Sequence, residues 1–292
     1  MPAVDFDVLV GMQDPSARGA STSTPPGAAP KPPTAPKNLP PVMRVTDWNW
    51  SSDMTGWWVS EKFDGCRAWW DGKDLVSRRG NVYGAPDWWK ARLPKVPLDG
   101  ELWLGRGLFP ETVGLARGGF PEDWKRMHYM VFDAPCVPGP FEQRLVVLHT
   151  ELQLAGFDLA RPIEQHPIQS ASHLMDVLAA VERDNGEGLV LRRPGSLYIE
   201  GESADIQRVV RVRTAEAVIV GHTAGVGNRA GGCGALVCRL PDGTEFKVGT
   251  GLKTKDVENP PPVGTTITFG YKLLTKDGVP REPRFIRIRD DL

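Results

Sequence analysis

The 292-residue sequence predicts an α+β domain followed by a smaller all-β domain. Between residues 41 and 213, short strand patterns alternate with two stretches of helical periodicity, which is typical of an α+β core. From Ala217 onward helical periodicity disappears, and five short strand patterns are separated by turns rich in Gly or Pro. The length is sufficient for one large or two modest packed domains.

Residues 1–40 differ in composition from the rest of the chain. The stretch from Thr24 to Pro41 contains eight prolines, together with Ala, Gly and Thr. Such a segment cannot bury enough apolar surface to fold, so we expect a disordered, Pro-rich tail. The predicted organisation is therefore a tail at 1–40, an α+β domain at 41–213 and an all-β domain at 214–292.

The first elements of the α+β domain resemble a meander. Three strands are predicted, with Asp-Gly turns at Asp64-Gly65 and Asp71-Gly72 between them: Trp57–Lys62, Cys66–Asp71 and Leu75–Ser77. Further strands are predicted at Leu98–Leu104, Tyr129–Phe132 and Glu187–Arg192, and helices at Gln143–Ala155 and Ser172–Arg183, with Ser172 as the N-cap of the second helix. Because adjacent strand residues face opposite sides, each Trp-Trp pair is expected to place one ring in the core and one on the surface.

The all-β region has the spacing of a small five-stranded barrel of the OB type. Its predicted strands are Val218–His222, Gly234–Leu240, Glu245–Thr250, Thr265–Lys272 and Arg284–Ile288. Over residues 214–292 there are 11 basic and 9 acidic side chains, a balance of +2, and six of the basic ones fall between Lys272 and Arg289. A solvated face or a nucleic-acid-binding patch would explain this cluster equally well.

Overall composition restricts the cellular context. The net charge of −1 does not indicate a nucleic-acid-binding protein, and the four cysteines lack the paired spacing of a zinc site, so we expect no structural zinc. The first residues are acidic and no apolar stretch is long enough for a signal or a membrane span. We therefore expect a cytoplasmic protein that does not bind membranes.

Four short motifs carry the chemical information, and Lys62 is in the first. In chain order they are Lys62-Phe63-Asp64-Gly65-Cys66-Arg67, Ser77-Arg78-Arg79-Gly80, Asp99-Gly100-Glu101-Leu102 and Glu187-Gly188-Leu189-Val190. Lys62 lies at the end of a predicted half-buried strand, between Trp-rich apolar runs. An amine attacks only in its neutral form, which burial or nearby positive charge favours.

This ordered series resembles that of the covalent nucleotidyltransferases, the superfamily of DNA ligases, RNA ligases and mRNA-capping enzymes. Further segments resemble the minimal, E-type ATP-dependent DNA ligases of bacteria: Gly56-Trp57-Trp58-Val59-Ser60-Glu61-Lys62, Trp69-Trp70-Asp71-Gly72, Met130-Val131-Phe132-Asp133-Ala134-Pro135 and Gly139-Pro140-Phe141-Glu142-Gln143-Arg144. The resemblance runs from about Pro41 to Leu292. It implies a nucleotidyltransferase (ATP-grasp-like) catalytic domain followed by an OB-fold barrel, and a monomer that uses ATP and Mg²⁺ or Mn²⁺ to seal nicked double-stranded DNA.

The resemblance also implies a role for individual residues. Lys62 would carry AMP, Arg67 would contact the nucleotide sugar and the nick phosphate, and Glu187 would hold the metal. Glu101 would bind ribose and assist the metal, Phe132 would stack on adenine, and Glu61 would contact the adenine edge. DNA contacts would come from Arg78 or its neighbour Arg79, and from the basic residues Lys272, Arg284, Arg287 and Arg289 of the barrel.

One motif departs from the family pattern. Where the family has Lys-x-Lys against the α-phosphate, this chain has Arg208-Val209-Val210-Arg211-Val212-Arg213. Counting from Tyr198 favours Arg208, whereas strand alternation favours Arg211 and Arg213. Arginine keeps the positive charge but replaces a compact ammonium with a planar fork. This segment and the near-neutral net charge leave a catalytically weak nucleic-acid-binding relative open as an alternative. An RNA ligase or a capping-type enzyme also stays open, because the choice of nucleic acid rests on the resemblance.

Overall fold

The computed structural model describes residues 40–289, which form two compact units. The described part of the first unit comprises residues 40–105, 109–182 and 188–209. The second comprises 106–108, 183–187 and the chain from 210. The predicted tail lies outside the described residues, apart from Pro40.

Two five-stranded sheets form the framework of the first unit. One has the order β1-β10-β9-β2-β8, with strands Met43–Asp47 (β1), Gly201–Val209 (β10), Gly188–Arg192 (β9), Trp58–Lys62 (β2) and His166–Pro167 (β8). The other has the order β4-β3-β5-β6-β7, with strands Leu75–Ser77 (β4), Cys66–Trp70 (β3), Leu98–Trp103 (β5), His128–Asp133 (β6) and Ala160–Pro162 (β7). We call them the first and second sheets.

Helices cover the outer faces of both sheets. They are Asp87–Lys90 (α1), Phe109–Gly118 (α2), Phe141–Ala155 (α3) and Ala171–Arg183 (α4), with a 3₁₀ turn at Pro121–Arg126. Leu145, Leu148 and Leu152 of α3 join the core of the second sheet, whereas Leu174 and Leu178 of α4 join the core of the first. Since each sheet buries one face under helices, the opposite faces are available to line a site.

The predicted meander is correct at one turn and wrong at the other. β3 and β4 pair across the Asp71-Gly72 turn as expected, whereas β2 and β3 do not pair. The strand that ends at Lys62 pairs with β9 and β8 of the first sheet, whereas the strand that begins at Cys66 pairs with β4 and β5 of the second. The Asp64-Gly65 turn therefore carries the chain from one sheet to the other instead of closing a hairpin. A turn signal shows where the chain changes direction, but it does not show which strand is the next partner.

Two local expectations also need correction. The N-cap of α4 is Ser170, whose Oγ accepts a hydrogen bond of 3.1 Å from the backbone N–H of His173. Trp88 and Trp89 divide between surface and core as expected, but Trp69 and Trp70 are both buried. Strand β3 has structure against both of its faces, so alternation does not expose either ring.

The second unit is built around a five-stranded antiparallel sheet of order β13-β12-β11-β14-β15. The strands are Arg213–Ala224 (β11), Cys233–Arg239 (β12), Glu245–Val248 (β13), Thr266–Tyr271 (β14) and Arg284–Ile288 (β15). A parallel bridge between Thr250 and Arg284 joins the two edges at one end, as in a partly open OB-type barrel. The expectation that helices are absent here is wrong, because Thr254–Glu258 (α5) and a 3₁₀ turn at Gly227–Arg229 are helical.

Helix α3 provides a matched test of the core. Leu148 is fully buried against the second sheet, whereas Leu154, on the same helix, is 78% exposed. We expect Leu148→Ala to lower the free energy of unfolding by about 2–5 kcal/mol, because a cavity remains where the side chain packed. Leu154→Ala serves as the control and should change it by less than about 0.5 kcal/mol.

Urea unfolding followed by tryptophan fluorescence would measure both, since all ten tryptophans lie between Trp48 and Trp124 and report on the first unit. Equal losses in the two variants would contradict the placement of α3.

Candidate active site

A cavity of about 210 Å³ lies between the two sheets of the first unit. Its residues from the first sheet are Val45, Ser60, Glu61, Lys62, Val190, Arg192, Ile206 and Arg208, and those from the second are Arg67, Glu101 and Phe132. Connecting segments add Phe63, Arg78, Ile163 and Gln165. Seven of these fifteen residues are charged and six are apolar, a mixture that suits a small ligand with both a charged and an apolar part.

Lys62 is positioned by the crossing between the sheets. It is the last residue of β2, and the chain then enters β3 at Cys66. Gly65 makes this crossing tight, because a Cβ atom at that position would lie 2.1 Å from the backbone oxygen of Leu102. Only glycine permits this approach, so the Asp-Gly pair places the lysine at the cavity.

Arg67 and Glu101 form a directly opposed pair on β3 and β5. The guanidinium of Arg67 donates through Nε and Nη2 to the two carboxylate oxygens of Asp99, at 2.6 and 2.5 Å. It also lies 4.6 Å from the centroid of the Phe132 ring. Burial acts to lower the pKa of Arg67, but the Asp99 carboxylate outweighs that effect and raises it, so the guanidinium stays charged.

Tyr198 completes the environment of Asp99. Its hydroxyl donates to Asp99 Oδ2 at 2.6 Å and accepts from the backbone N–H of Met43 at 3.0 Å. Burial, and then the Asp99 carboxylate, raise the pKa of Tyr198 well above its usual value, so the hydroxyl keeps its proton. Asp99 is fully buried and is held by a bidentate arginine and a tyrosine.

A second buried carboxylate, Asp133, binds two arginines. Arg144 Nε donates to Asp133 Oδ1 at 2.6 Å, and Arg192 Nη2 lies 3.2 Å from Oδ2. Burial lowers the pKa of Arg192, with Asp133 opposing that shift and Arg144 adding to it. Two buried guanidinium groups share one carboxylate, which leaves a positive charge under the cavity that suits an anionic ligand.

A β-bulge brings this second cluster to the same face. Asp99 pairs with Asp133, but Gly100 pairs with Val131, so Phe132 is the extra residue on β6. Glu101 pairs with Met130, and Phe132 lies two residues after Met130 on β6. Alternation along the strand therefore places Glu101, Met130 and Phe132 on the same face. The bulge lets Phe132 and Asp133 both face the site, the first towards the cavity and the second towards its supporting arginines.

The structure brings seven of the predicted site residues together around the cavity: Glu61, Lys62, Arg67, Arg78, Glu101, Phe132 and Arg208. Arg79 is exposed and does not line it, which favours Arg78 for contact with a ligand there. Glu187 is buried and directly precedes Gly188, the pairing partner of Lys62 on β9. The roles assigned to these residues stay predictions.

Of the three arginines that are candidates for the position of the family's lysines, Arg208 lines the cavity, whereas Arg211 and Arg213 belong to the second unit. Arg208 Nε donates to Asp47 Oδ1 at 2.5 Å and Nη2 to Oδ2 at 3.1 Å. This bidentate pair joins the ends of β10 and β1 and fixes the guanidinium at the rim of the cavity.

The basic cluster of the second unit is partly neutralised. Lys272 Nζ lies 2.6 Å from Glu282 Oε2, and Arg289 is ion-paired with Glu216. Arg284 and Arg287 are exposed on β15. Their contact with DNA stays a prediction.

Sequence reasoning missed several residues of the site: Ser60, Asp99, Asp133, Gln165, Arg192 and Tyr198. Strand alternation could have identified Ser60, because it lies two residues before Lys62 on the same face of β2. Asp99 belongs to the motif Asp99-Gly100-Glu101-Leu102, of which only Glu101 was predicted to be a site residue. Nothing local identifies Tyr198 or Gln165, which approach the site only through long-range packing.

The donor set limits what metal the chain could hold. Within residues 40–289, no three His, Cys, Asp or Glu side chains cluster so as to hold a metal ion. Mg²⁺ is usually bound by one or two carboxylates together with water and substrate phosphates, and Glu101 on the cavity wall fits that pattern.

Between residues 40 and 289, no helix has the length and apolar character needed to cross a bilayer.

Comparison with known proteins agrees with this architecture. Residues 224–289 match the family model described as a DNA ligase OB-like domain. A DNA ligase of Haemophilus influenzae is 35% identical over 228 residues, covering 78% of this chain and 85% of that protein.

Solved structures give the same result. A Lig E DNA ligase, solved in a study of DNA binding with a minimal scaffold, has a TM-score of 0.78 and 34% identity over 85% of this chain and 98% of that one. The Chlorella virus DNA ligase–adenylate, at 19% identity and a TM-score of 0.53, shares the fold over 88% of this chain and all of its own. The architecture is that of the covalent nucleotidyltransferases. The chain belongs to the DNA ligase family, and the predicted resemblance to the E type is confirmed.

The Arg67–Asp99 pair can be tested by an isosteric change. Asp99→Asn removes the charge that holds Arg67 bidentately, so the guanidinium loses its fixed position and nick sealing should fall about 10²-fold. Asp123→Asn, an exposed substitution outside the cavity, is the control and should seal at the normal rate.

Sealing of nicked duplex would be measured below the unfolding transition of both proteins, with tryptophan fluorescence confirming that they are folded. Unchanged sealing by the Asp99→Asn protein would show that Arg67 does not depend on this carboxylate.

Proposed function

We propose that this DNA ligase uses ATP to seal nicks between a 3′-hydroxyl and a 5′-phosphate in duplex DNA, through a lysyl-AMP and a DNA-adenylate. The observation that carries the proposal is the position of Lys62, at the end of a strand, in a cavity that it shares with Glu101, Phe132 and several arginines. In this set Lys62 is the nucleophile, the Phe132 ring can pack against a flat base, and the arginines can bind phosphates.

In the first step Lys62 Nζ attacks the α-phosphorus of ATP. A P–N bond forms, the bond to the β-phosphate oxygen breaks, and pyrophosphate leaves. Arg208, fixed by Asp47 at the cavity rim, would hold the α-phosphate. Phe132, stacked on Arg67, offers an aromatic face for adenine, and Glu101 a carboxylate for the ribose hydroxyls.

In the second step the 5′-phosphate of the nick attacks the phosphorus of lysyl-AMP and frees the lysine. In the third step the 3′-hydroxyl attacks the 5′-phosphorus, forms the phosphodiester and releases AMP. Arg78 is exposed at the cavity edge, where its guanidinium could grip a phosphate that arrives on DNA. Arg284 and Arg287 of the second unit would contact the duplex backbone.

Mg²⁺ would be held by Glu101 and Glu187 together with the phosphates of ATP. When bound, it supplies a Lewis acid that neutralises the charge developing on the phosphate oxygens. Glu101 lines the cavity. Glu187 directly precedes Gly188, which pairs with Lys62 across the first sheet.

The alternative functions have less support. RNA ligases and capping enzymes share the chemistry of Lys62, but the relative that covers most of this chain is a DNA ligase. A catalytically weak binding protein would have no need to keep Lys62, Glu101 and Arg208 around one cavity. Discharge of the protein-bound AMP onto nicked DNA, and not onto nicked RNA, distinguishes these functions.

The nucleophile is tested by Lys62→Ala. We expect this protein, incubated with ATP and Mg²⁺, to show no mass gain, because Lys62 is the one lysine among the described residues that line the cavity. Lys73→Ala, which changes an exposed lysine in the turn between β3 and β4, is the control and should gain the mass of one AMP. Intact mass spectrometry provides the readout, and AMP on the Lys62→Ala protein would overturn the assignment.

The role of Arg208 is tested against the other arginines of its segment. Arg208→Ala should slow single-turnover adenylylation about 10²-fold, as loss of a preorganised donor to a developing charge does elsewhere. Arg193→Ala, an exposed arginine paired with Asp205, is the control and should leave the rate unchanged. If Arg213→Ala were slower than Arg208→Ala, the phosphate contact would belong to Arg213 instead.

A further inference from the structure

One row of residues crosses the first sheet on the side of the cavity. Trp58 pairs with Pro167 and Val59 with His166, so the antiparallel register places Ser60 opposite Gln165. On its other side Ser60 pairs with Val190, and Val190 pairs with Arg208. All four residues of the row, Gln165, Ser60, Val190 and Arg208, line the cavity.

The two ends of this row differ in charge. Its Arg208 end is cationic, and Lys62 lies on the same face of β2 two residues beyond Ser60. The opposite end holds a hydroxyl and a carboxamide, beside the apolar side chains of Ile163 and Val190. A nucleotide placed with its phosphates near Lys62 and Arg208 therefore has its base directed to the Ser60 and Gln165 end.

Neither polar group at that end is used by the protein. Among the described residues, the side chains of Ser60 and Gln165 make no hydrogen bond, although Ser60 is only 7% exposed and Gln165 is half-buried. Neither group is sealed from solvent, because both lie on the wall of the cavity. Their hydrogen-bonding capacity is therefore available to a ligand that displaces the water there.

The geometry points to Gln165 as the residue that sets the base specificity of the ligase, with Ser60 as its neighbour on the base edge. This inference rests on the proposed function. A glutamine amide can accept from the 6-amino group of adenine and donate to N7 at the same time. Guanine presents two acceptors at these positions, so the amide oxygen would face O6 and the pairing would fail. The site thereby selects a purine that carries a 6-amino group.

The apolar residues beside the pair sharpen the selection. Phe132 and Val190 line the same cavity and supply flat or branched apolar surface for the faces of a base. A base that lacks the 6-amino group leaves the amide oxygen of Gln165 without its partner on the ligand. Sites that hydrogen-bond a polar group reject ligands lacking it more strongly than apolar pockets reject a change of size.

The experiment separates recognition of the base from chemistry at Lys62. Equilibrium binding of ATP, GTP and 6-desamino-ATP (purine riboside triphosphate) would be measured on the Lys62→Ala protein, alone and combined with Gln165→Leu. Alone, it should bind ATP about 10-fold more tightly than the desamino analogue, the value of one good hydrogen bond. Gln165→Leu should reduce this ratio to within about twofold of one, mainly by weakening ATP.

Two further variants serve as controls for the Gln165→Leu change. Gln165→Glu keeps the shape and the acceptor for the 6-amino group but loses the donor to N7, so its ATP affinity should fall while some preference over the desamino analogue persists. Gln169→Leu, an exposed glutamine just beyond β8, should leave all three affinities unchanged. Together they distinguish loss of a specific contact from a general disturbance around β8.

The outcomes for Gln165 and for the proposed function are distinct. If wild-type protein gains AMP but Gln165→Leu keeps the full preference for ATP, the role of Gln165 is overturned and the ligase mechanism stands. If wild-type protein gains no AMP, yet Lys62→Ala binds ATP with a preference that Gln165→Leu removes, base recognition stands and the lysyl-AMP mechanism fails. If no nucleotide binds, both are overturned.

Discussion

The buried ion pair between Arg67 and Asp99 is the interaction on which the site depends. A buried charge is tolerated only when its partners satisfy it, and breaking such a pair by removing one member is costly. Asp99 meets this condition because it accepts hydrogen bonds from Nε and Nη2 of Arg67 and from the hydroxyl of Tyr198. The Tyr198 hydroxyl also accepts a hydrogen bond from the backbone N–H of Met43. One carboxylate thereby joins β3, β5, the start of β1 and the segment before β10 at the wall of the cavity.

Two glycines make this arrangement sterically possible. Gly65 lets the crossing from the first sheet pass against the backbone of Leu102, and Gly100 lets β5 lie against β6, where a Cβ atom would come within 2.6 Å of Met130 O and of the Tyr129 ring. Gly65 lies in the crossing that places Lys62 at the cavity, and Gly100 lies between Asp99 and Glu101. The Asp-Gly pairs are therefore requirements of close packing, although they look like turn signals in the sequence.

The sequence predicted what local patterns determine, namely the strands around Lys62, the helix periodicity of α3 and α4, and the residues of the ordered motifs. It failed where partners come from distant parts of the chain. The strand that pairs with Lys62 begins at Gly188, and no feature of the Asp64-Gly65 turn could show this. Gln165 has no motif around it and reaches Ser60 only through the register of two short strands. Trp69 and Trp70 could not both be assigned to the core without knowing that β3 is covered on both sides.

Arg208 differs from a lysine at the same position in how its charge can be held. An ammonium is a compact, mobile point charge on a flexible stem, whereas a guanidinium presents a planar fork that can hold a carboxylate bidentately. Arg208 uses Nε and Nη2 on Asp47, across the pairing of β10 with β1. A lysine could not make this double contact, so its charge would be less well fixed. The arginine therefore lacks the compactness of an ammonium but holds its charge in a defined position at the rim of the cavity.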